Sequence, residues 1–436
     1  MLDIYGIDLG TTNSLIGLGD ELLSGLVPSV VDIEKRLAGE SLKADPNATR
    51  SFKINISLGV EGNLSVAAST LVLRELKERA GGSKVKRVVI SVPAYFSDNQ
   101  RQATMKAAEL AGLEVVSLIN EPTAAAIYVS EKRKSLSLIY DLGGGTFDVS
   151  IIDSRFGNYD VQATDGCVVG GDNLDNNIMR RLIKMGNLRK HTLGAEGLTK
   201  LRLLACDTKL RIQKEQKDIK VSLVDFGGGE VDFTVEDYKT LMRMTFSETI
   251  FKTRAVLSEN IPLGEKFDIV LVGGSTRCPY LREWITREFG QEPVPLTYDP
   301  DRVVALGAAM YAEMLYSGEA EENVSDVTKA LSIELADGTV RNIIAKNSKI
   351  PVEETTVVYN SNPSQFLRVN LCQGDSALSR FNECIGTLVY DYGHIVGQNE
   401  GEVIVTVSVE ASGIIKLSAK ELLKDAVEVI LDRSNV

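Results

Sequence analysis

The sequence predicts an α/β fold in which a duplicated, two-lobed domain is followed by a smaller all-β module. Over the first three quarters of the 436-residue chain, apolar strand-like segments alternate with segments of helical spacing, as in α/β domains. Residues 4–14 and 139–148 repeat one pattern, a strand, an Asp-Leu-Gly turn and a second strand. This repeat indicates two related halves with a cleft between them.

The α/β part is divided by glycine-rich turns and helix-capping residues. Strands are predicted at 3–18, 138–153 and 268–274, and helices at 98–111, 122–132, 173–185, 239–257 and 301–316. The helix at 98–111 has the clearest ends, because Ser97 is a favourable N-cap and Gly112 a favourable stop.

The last quarter of the chain has the alternation of a β-sandwich. Apolar and polar residues alternate at 365–372 and 403–409, and the second segment turns back into 414–418. Before this part, residues 317–322 are small and acidic, which is typical of a linker. We therefore predict an α/β domain at 1–317, a linker at 318–327 and an all-β sandwich domain at 328–436.

Composition and charge disfavour several classes of protein. The formal net charge of −12 makes nucleic acid a poor ligand, since binding to phosphate backbones needs a basic surface. No apolar run approaches the roughly 20 residues of a membrane-spanning helix, and the start of the chain lacks a secretion signal. We therefore expect a soluble, cytoplasmic protein without membrane contacts, present as a monomer.

The histidines and cysteines also restrict the chemistry. His191 and His394 are the only histidines and occur in unrelated contexts, so a histidine-driven triad or a multi-histidine metal site is set aside. The five cysteines lie far apart, without a Cys-x-x-Cys pair, and are expected to be ordinary buried thiols. Catalysis would then depend on carboxylates, lysine and backbone dipoles.

The two repeated turns are candidate phosphate sites. Glycine lets consecutive backbone N–H groups approach phosphate oxygens, and both turns combine glycine with threonine, at Gly10, Thr11 and Thr12 and at Gly143, Gly144, Gly145 and Thr146. Either turn alone would be interpreted as a plain hairpin. Asp8 and Asp141, however, stand beside them, and carboxylates near phosphate imply an intervening cation such as hydrated Mg²⁺. Phosphate with Mg²⁺ indicates a nucleotide.

A third glycine pair, Gly273 and Gly274, follows the apolar strand 268–272 and could approach the nucleotide from the other side. Neither a P-loop nor a Rossmann motif is present. Actin-like proteins, sugar kinases and chaperone ATPases share the two-hairpin arrangement, so the turns leave the function open among these classes.

Seven segments decide among them, because they resemble the 70-kilodalton heat-shock chaperone family in order along almost the whole chain. They are IDLGTTNS at 7–14, VVISVPAYFSDNQRQAT at 88–104, AGLEVVSLINEPTAAAI at 111–127, YDLGGGTFDVSIID at 140–153, VGGDNLDN at 169–176, IVLVGGSTRCP at 269–279 and DPDRVVALGAA at 299–309. The resemblance implies an actin-like, ribonuclease H-like ATPase domain and an ATP-dependent chaperone that uses ATP or ADP with Mg²⁺ and acts in protein folding under stress.

The resemblance also assigns roles to residues of this sequence. It implies that Thr11 and Thr146 contact the terminal phosphates and that Asp8 and Asp141 hold Mg²⁺ through water. Glu121 and Asp148 would order the attacking water, and Lys53 would lie near the γ-phosphate; a solvated surface lysine is the alternative for Lys53. The remaining nucleotide contacts implied are Gly171, Lys209, Gly274, Ser275, Arg277 and Asp301.

Further implied roles concern communication and client binding. Pro93 and Arg101 match positions that relay the nucleotide state, although Pro93 could simply end a strand. The β module would grip an extended client peptide, and the residues that match its groove are Ile333, Leu335, Val358, Leu367 and Val369. Each of these would serve equally well as sandwich core. A J-domain co-chaperone is the expected partner.

Several departures keep alternatives open. Segments 33–45, 57–62 and 213–233 look shortened relative to the family, so a nucleotide-exchange factor is uncertain as a partner. The family's glutamate near the base is either replaced by Cys206 or shifted to Asp207. The leucine-rich family linker is replaced at 322–327, and we expect no helical lid. A nucleotide-binding regulatory or scaffold protein with little ATP turnover is therefore the alternative, and a small-molecule kinase is a third hypothesis that the β module disfavours.

Overall fold

The computed structural model describes residues 3–56, 63–131, 133–189, 191, 193–320, 324–398, 400–421 and 427–428. The α-helices in this part of the chain are α1 Asn63–Arg79, α2 Asp98–Leu110, α3 Glu121–Ser130, α4 Gly171–Met185, α5 Gly194–Glu215, α6 Val235–Asn260, α7 Pro279–Phe289 and α8 Val303–Ser317. Within the described ranges, no helix is both long and apolar enough to cross a lipid bilayer.

The strands fall into an earlier set that alternates with the helices and a later set that follows α8. The earlier strands are β1 Ile4–Asp8, β2 Asn13–Leu18, β3 Glu21–Leu22, β4 Val27–Pro28, β5 Val30–Asp32, β6 Leu37–Ala38, β7 Thr49–Arg50, β8 Arg87–Val92, β9 Glu114–Asn120, β10 Leu136–Leu142, β11 Phe147–Asp153, β12 Tyr159–Cys167, β13 Ile219–Ser222, β14 Glu230–Phe233 and β15 Asp268–Val272. The later strands are β16 Val324–Val327, β17 Leu331–Glu334, β18 Val340–Ile344, β19 Lys349–Ile350, β20 Val352–Val358, β21 Ser364–Gln373, β22 Glu383–Val396, β23 Val403–Val409, β24 Ile415–Glu421 and β25 Val427–Glu428.

Two six-stranded sheets repeat one arrangement around a hairpin. In the first sheet β1 pairs antiparallel with β2 and parallel with β8. In the second, β10 pairs antiparallel with β11 and parallel with β15. Because both hairpins stand in equivalent places, their Gly-Thr turns come from corresponding edges of the two sheets. The internal repeat of the sequence thus has a structural counterpart.

Helices α3 and α8 lie between the two sheets and join the lobes. Their shared cluster contains Ile4 and Val89 from the first sheet and Ile139 and Val270 from the second. The helices approach closely at Gly307, where an added Cβ would lie 1.8 Å from the carbonyl oxygen of Ala124. No larger residue fits there without moving backbone, so the small residues of α8 fix the spacing between the lobes.

The segments expected to be shortened form small structures. Residues 33–45 connect β5 and β6 and lead into a three-stranded sheet of β6, β5 and β7. Residues 213–233 contain the end of α5 and the β13–β14 hairpin. The third such segment, 57–62, lies outside the described residues.

The residues after α8 form two four-stranded antiparallel sheets with one common core. The strand orders are β18-β17-β21-β22 and β20-β23-β24-β25. Alternate residues of β23 are buried, as at Val403, Val405, Val407 and Val409, which is the period of a half-buried strand. These sheets correspond in position to the predicted all-β module.

Part of the predicted linker is a strand in this structure. Strand β16 pairs parallel with β12, with Val324 opposite Tyr159, and antiparallel with β19, with Asp326 opposite Ile350. Residues 321–323 lie outside the described residues. Through β16 and β19, the second sheet of the α/β part continues into the β module.

Candidate functional site

A cavity of about 540 Å³ opens between the two lobes at the ends of both hairpins. Nearly all the residues that the sequence predicted to contact nucleotide or metal line it. They are Asp8, Gly10, Thr11, Thr12, Lys53, Glu121, Asp141, Gly143, Gly144, Thr146, Gly171, Lys209, Gly273, Gly274, Ser275, Arg277 and Asp301. The two predicted residues outside this lining are Gly145, which packs against the side chain of Thr11, and Asp148, which is buried.

The two Gly-Thr turns face each other across the cavity at very short range. A Cβ added to Gly144 would lie 1.7 Å from Thr12 Oγ1, and one added to Gly145 would lie 2.5 Å from Thr11 Cγ2. Glycine is therefore required because the opposite threonine occupies the space of a side chain. The second turn closes through a hydrogen bond from the Gly143 amide to the Thr146 carbonyl, 3.0 Å long.

The floor of the cavity holds several carboxylates and one buried lysine. Asp8 ends β1, while Asp141 and Asp148 are directly opposite each other on β10 and β11. Glu121 begins α3 and forms an ion pair with Lys53, with 2.5 Å between Nζ and Oε1. Lys53 is only 2% exposed, so the expected alternative of a solvated surface lysine is wrong.

Burial and repulsion by Glu121 raise the pKa values of the three aspartates, Asp8, Asp141 and Asp148. Burial, followed by the charge of Glu121, raises the pKa of Asp8 to about 7. The pKa values of Asp141 and Asp148 are also raised, again chiefly by burial and then by Glu121. Lys53 opposes all three shifts without cancelling them. Lys53 alone therefore does not offset the cost of ionising these buried carboxyl groups, and a bound cation would lower that cost.

One buried hydroxyl group, that of Thr11, is relevant to whether a phosphate group fits the cavity. Thr11 is buried, and its Oγ1 has no hydrogen-bond partner within the described residues. Buried hydroxyl groups are normally paired, so this one is available to a ligand in the cavity. The described part of the chain contains no group of three or more side chains arranged as a direct metal site. Indirect binding of Mg²⁺ through water by Asp8 and Asp141 remains a prediction.

The opposite end of the cavity carries paired charges and a cysteine. Lys209 on α5 contacts Asp175 with 2.8 Å between Nζ and Oδ1, and Arg277 contacts Asp301 with 2.8 Å between Nη2 and Oδ2. Cys206 lies one helical turn before Lys209 and also lines the cavity. Burial, then the charge of Asp175, raises the pKa of its thiol. This end therefore combines fixed charges with a small, neutral side chain.

Sequence reasoning missed two serines that hold the phosphate-side residues in place. Ser91 Oγ donates to Asp8 Oδ1 at 3.0 Å, and Ser29 Oγ donates to the Gly10 carbonyl at 2.7 Å. Ser91 could have been found, because β8 runs parallel to β1 and its Ser91 pairs with Asp8. Ser29 is in a loop after β4, and no local pattern indicates its contact.

The β module has a second cavity, of about 500 Å³. All five predicted groove residues line it, namely Ile333, Leu335, Val358, Leu367 and Val369. Four of them also belong to the core between the two sheets, and only Leu335, 38% exposed, lies largely outside that core. The two interpretations made from sequence, groove and core, therefore apply together to most of these side chains.

Hydrogen bonds connect the β module to the α/β part near α2. Arg101 donates from Nη1 to the Ser412 carbonyl at 3.1 Å and from Nη2 to Asn120 Oδ1 at 2.6 Å. Asp98 accepts from the Ile415 amide at 2.9 Å. Pro93 lies between β8 and this helix, and the next amide, that of Ala94, donates to Asp148 at 2.8 Å. A short chain of contacts thus leads from the carboxylate cluster towards the β module.

Comparison with known proteins identifies the family. The model of the family described as Hsp70 protein matches residues 33–434. A chaperone protein HscA homolog of Haemophilus influenzae is 32% identical over 473 aligned residues, which cover 95% of this chain and 75% of that protein. The chaperone protein HscA of Buchnera aphidicola is 31% identical, with 99% of this chain and 79% of that protein covered. The chain therefore belongs to the Hsp70 family of chaperones, whose members are ATPases.

Proposed function

We propose that this protein is an ATP-dependent chaperone that binds and hydrolyses ATP to control its hold on extended apolar segments of unfolded clients. The observation that carries the proposal is the inter-lobe cavity, where two Gly-Thr turns meet the carboxylates of Asp8, Glu121 and Asp141 and the buried Lys53. Phosphoryl transfer needs mainly positioning and charge stabilisation, and these residue types supply both.

The hydroxyl, carboxyl and ammonium groups at the cavity have different roles in the proposed hydrolysis. The hydroxyl groups of Thr11 and Thr146 donate to the terminal phosphates, and Asp8 and Asp141 hold Mg²⁺ through water. When bound, the ion neutralises charge on the phosphate oxygens. Lys53 uses one of its three ammonium protons for Glu121, which leaves donors for the γ-phosphate. Glu121 and Asp148 orient the attacking water.

The client would bind in the cavity of the β module. Its lining combines the apolar groove residues with Asn360 and Asn370, and β20, which carries Val358, is an edge strand of its sheet. Main-chain hydrogen bonds with apolar pockets are the usual basis for binding extended peptides. The contacts at Arg101 and Asp98 and strand β16 support communication between the two cavities. We further propose a J-domain protein as partner and the cytoplasm as the site of action.

The alternative function is a nucleotide-binding regulator with little turnover. The observation that favours it is Cys206, a neutral residue at the end of the cavity where base and ribose would lie. A weaker or altered base contact there would slow the cycle without removing phosphate binding.

ATP turnover by the purified chain with Mg²⁺, with and without an extended apolar peptide, separates the two functions. We expect measurable hydrolysis that the peptide accelerates. ATP binding without turnover and without a response to peptide would favour the regulator. A Lys53→Ala variant, measured in parallel, controls for contaminating ATPases.

A further inference from the structure

Two cysteines of the β module, Cys372 and Cys384, lie on neighbouring strands. Strands β21 and β22 run antiparallel, and their register sets Cys372 directly opposite Cys384. Directly opposite residues of an antiparallel pair point to the same face, with Cα atoms about 4.5 to 5.5 Å apart. A disulfide needs a Cα separation of about 4.4 to 6.8 Å. The register, which shifts between Leu371 and Cys372, therefore places the Cα atoms of the two cysteines within the range that a disulfide needs.

The two thiols differ in their exposure to solvent. Both are free thiols; Cys372 is buried and Cys384 is half-buried. Burial, then the nearby Cys384, raises the pKa of the Cys372 thiol to about 11. A soluble oxidant reaches the more exposed sulfur first, and the buried one follows as its intramolecular partner.

The residues next to this pair make contacts to the α/β part. Gln373 and Glu383 are also directly opposite each other. Gln373 Oε1 accepts from the Asp98 amide at 3.2 Å, and Glu383 Oε1 accepts from Ser97 Oγ at 2.6 Å. Ser97 is the N-cap of α2. A bond between the two cysteines would therefore fix the spacing of the two acceptors that contact the start of this helix.

We propose that Cys372 and Cys384 form an oxidisable dithiol whose disulfide braces the contact between the β module and the N-terminus of α2. With hydrogen peroxide as oxidant, Cys384 becomes a sulfenic acid and one water is released. The Cys372 sulfur then attacks the Cys384 sulfur, forming the S–S bond and releasing the second water. The two thiols thus lose two hydrogens, and one peroxide is reduced to two waters.

Peptide mapping of the full chain tests the bond directly. After treatment with hydrogen peroxide, blocking of the remaining thiols and digestion with trypsin, cleavage at Arg380 separates the two cysteines. We expect the peptide 369–380 to be recovered joined to 381–416 and to separate on reduction. Recovery of both peptides with blocked, unlinked thiols after oxidation would overturn the proposal.

Hydrogen exchange tests the brace. Amides 94–102 are expected to exchange more slowly in the oxidised chain than in the reduced chain, and to recover on reduction. Cys384→Ser should lose both the linked peptides and the change in exchange; Cys384→Ala serves the same purpose if the serine variant folds poorly. If the disulfide forms but the exchange rates of amides 94–102 stay unchanged, the proposed brace is overturned. The contact between the β module and the start of α2 would then not respond to the bond.

Discussion

The inter-lobe cavity and the cavity of the β module are built in opposite ways. In the first, Asp8, Glu121 and Asp141 are polar lining residues that stand at the ends of strands and helices. In the second, Ile333, Val358, Leu367 and Val369 line the cavity and also form the core. A substitution in the first cavity should therefore change ATP turnover with little change in the free energy of unfolding. A substitution in the second should change peptide binding and the free energy of unfolding together.

The largest expected effect is the loss of ATP turnover on removing charge from the first cavity. Lys53→Ala and Asp141→Ala should each lower the turnover number by at least about 10²-fold, as expected for a group that stabilises charge in the transition state. Stability should persist in Asp141→Ala, because burial already disfavours the charged carboxylate and raises its pKa. Steady-state ATPase rates and thermal unfolding of the same samples measure both effects.

The exposed Lys106 on α2 provides the matched lysine control, because it lies at the surface and forms an ion pair there with the exposed Glu109. Lys106→Ala should keep the rate of the unmodified chain. Unchanged turnover in both cavity variants would reject the assignment of the cluster to catalysis.

The second effect is a loss of stability in the β module. Leu367 is 2% exposed in its core, so Leu367→Ala leaves a cavity and should lower the free energy of unfolding by about 2 to 5 kcal/mol. Chemical denaturation followed by a signal from the β module measures this. A loss of peptide binding without a loss of stability would show that Leu367 acts only as groove lining.

Leu335 gives the matched comparison, because it lines the same cavity and is 38% exposed. Leu335→Ala should change the unfolding free energy by less than about 1 kcal/mol and weaken binding of an apolar peptide by up to about tenfold. Fluorescence anisotropy with a labelled peptide measures the affinity. Equal peptide affinity in Leu335→Ala and the unmodified chain would place the peptide elsewhere on the module.

Local features of the fold could be predicted from sequence, and long-range pairings could not. Ser97 caps α2, with the capping box completed by Gln100, and β23 spans the predicted residues 403–409. Helices α1 and α7 were missed. The pairing of β16 with β12 was also missed, because Val-Ser-Asp-Val is too short and too polar to indicate a strand by itself. Strand β12, with which β16 pairs, lies more than a hundred residues earlier in the chain.

The candidate site follows the same division. The Gly-Thr turns and their aspartates could be predicted, because the repeated motif carries them. The environment that determines their pKa values could not, since the pKa of Asp8 depends on Glu121, Lys53 and Asp301, which lie far from it in sequence. Ser29 and the ion pair of Lys209 with Asp175 join segments that only the folded chain brings together.

A further expected effect is a pH dependence of stability that originates in the first cavity. In the nucleotide-free chain, burial and Glu121 raise the pKa of Asp8 from 3.8 to about 7. The folded chain therefore binds this proton more tightly than the unfolded chain, so the contribution is full below 3.8 and is lost as the pH rises through about 7. Asp8→Asn removes the titration. Urea unfolding at about pH 5 and about pH 8 should show that the unmodified chain loses more stability over this interval than the variant. If the unmodified chain and the Asp8→Asn variant lost the same stability over this interval, Asp8 would be ionised at both pH values. The carboxylate cluster would then need another source of compensating positive charge.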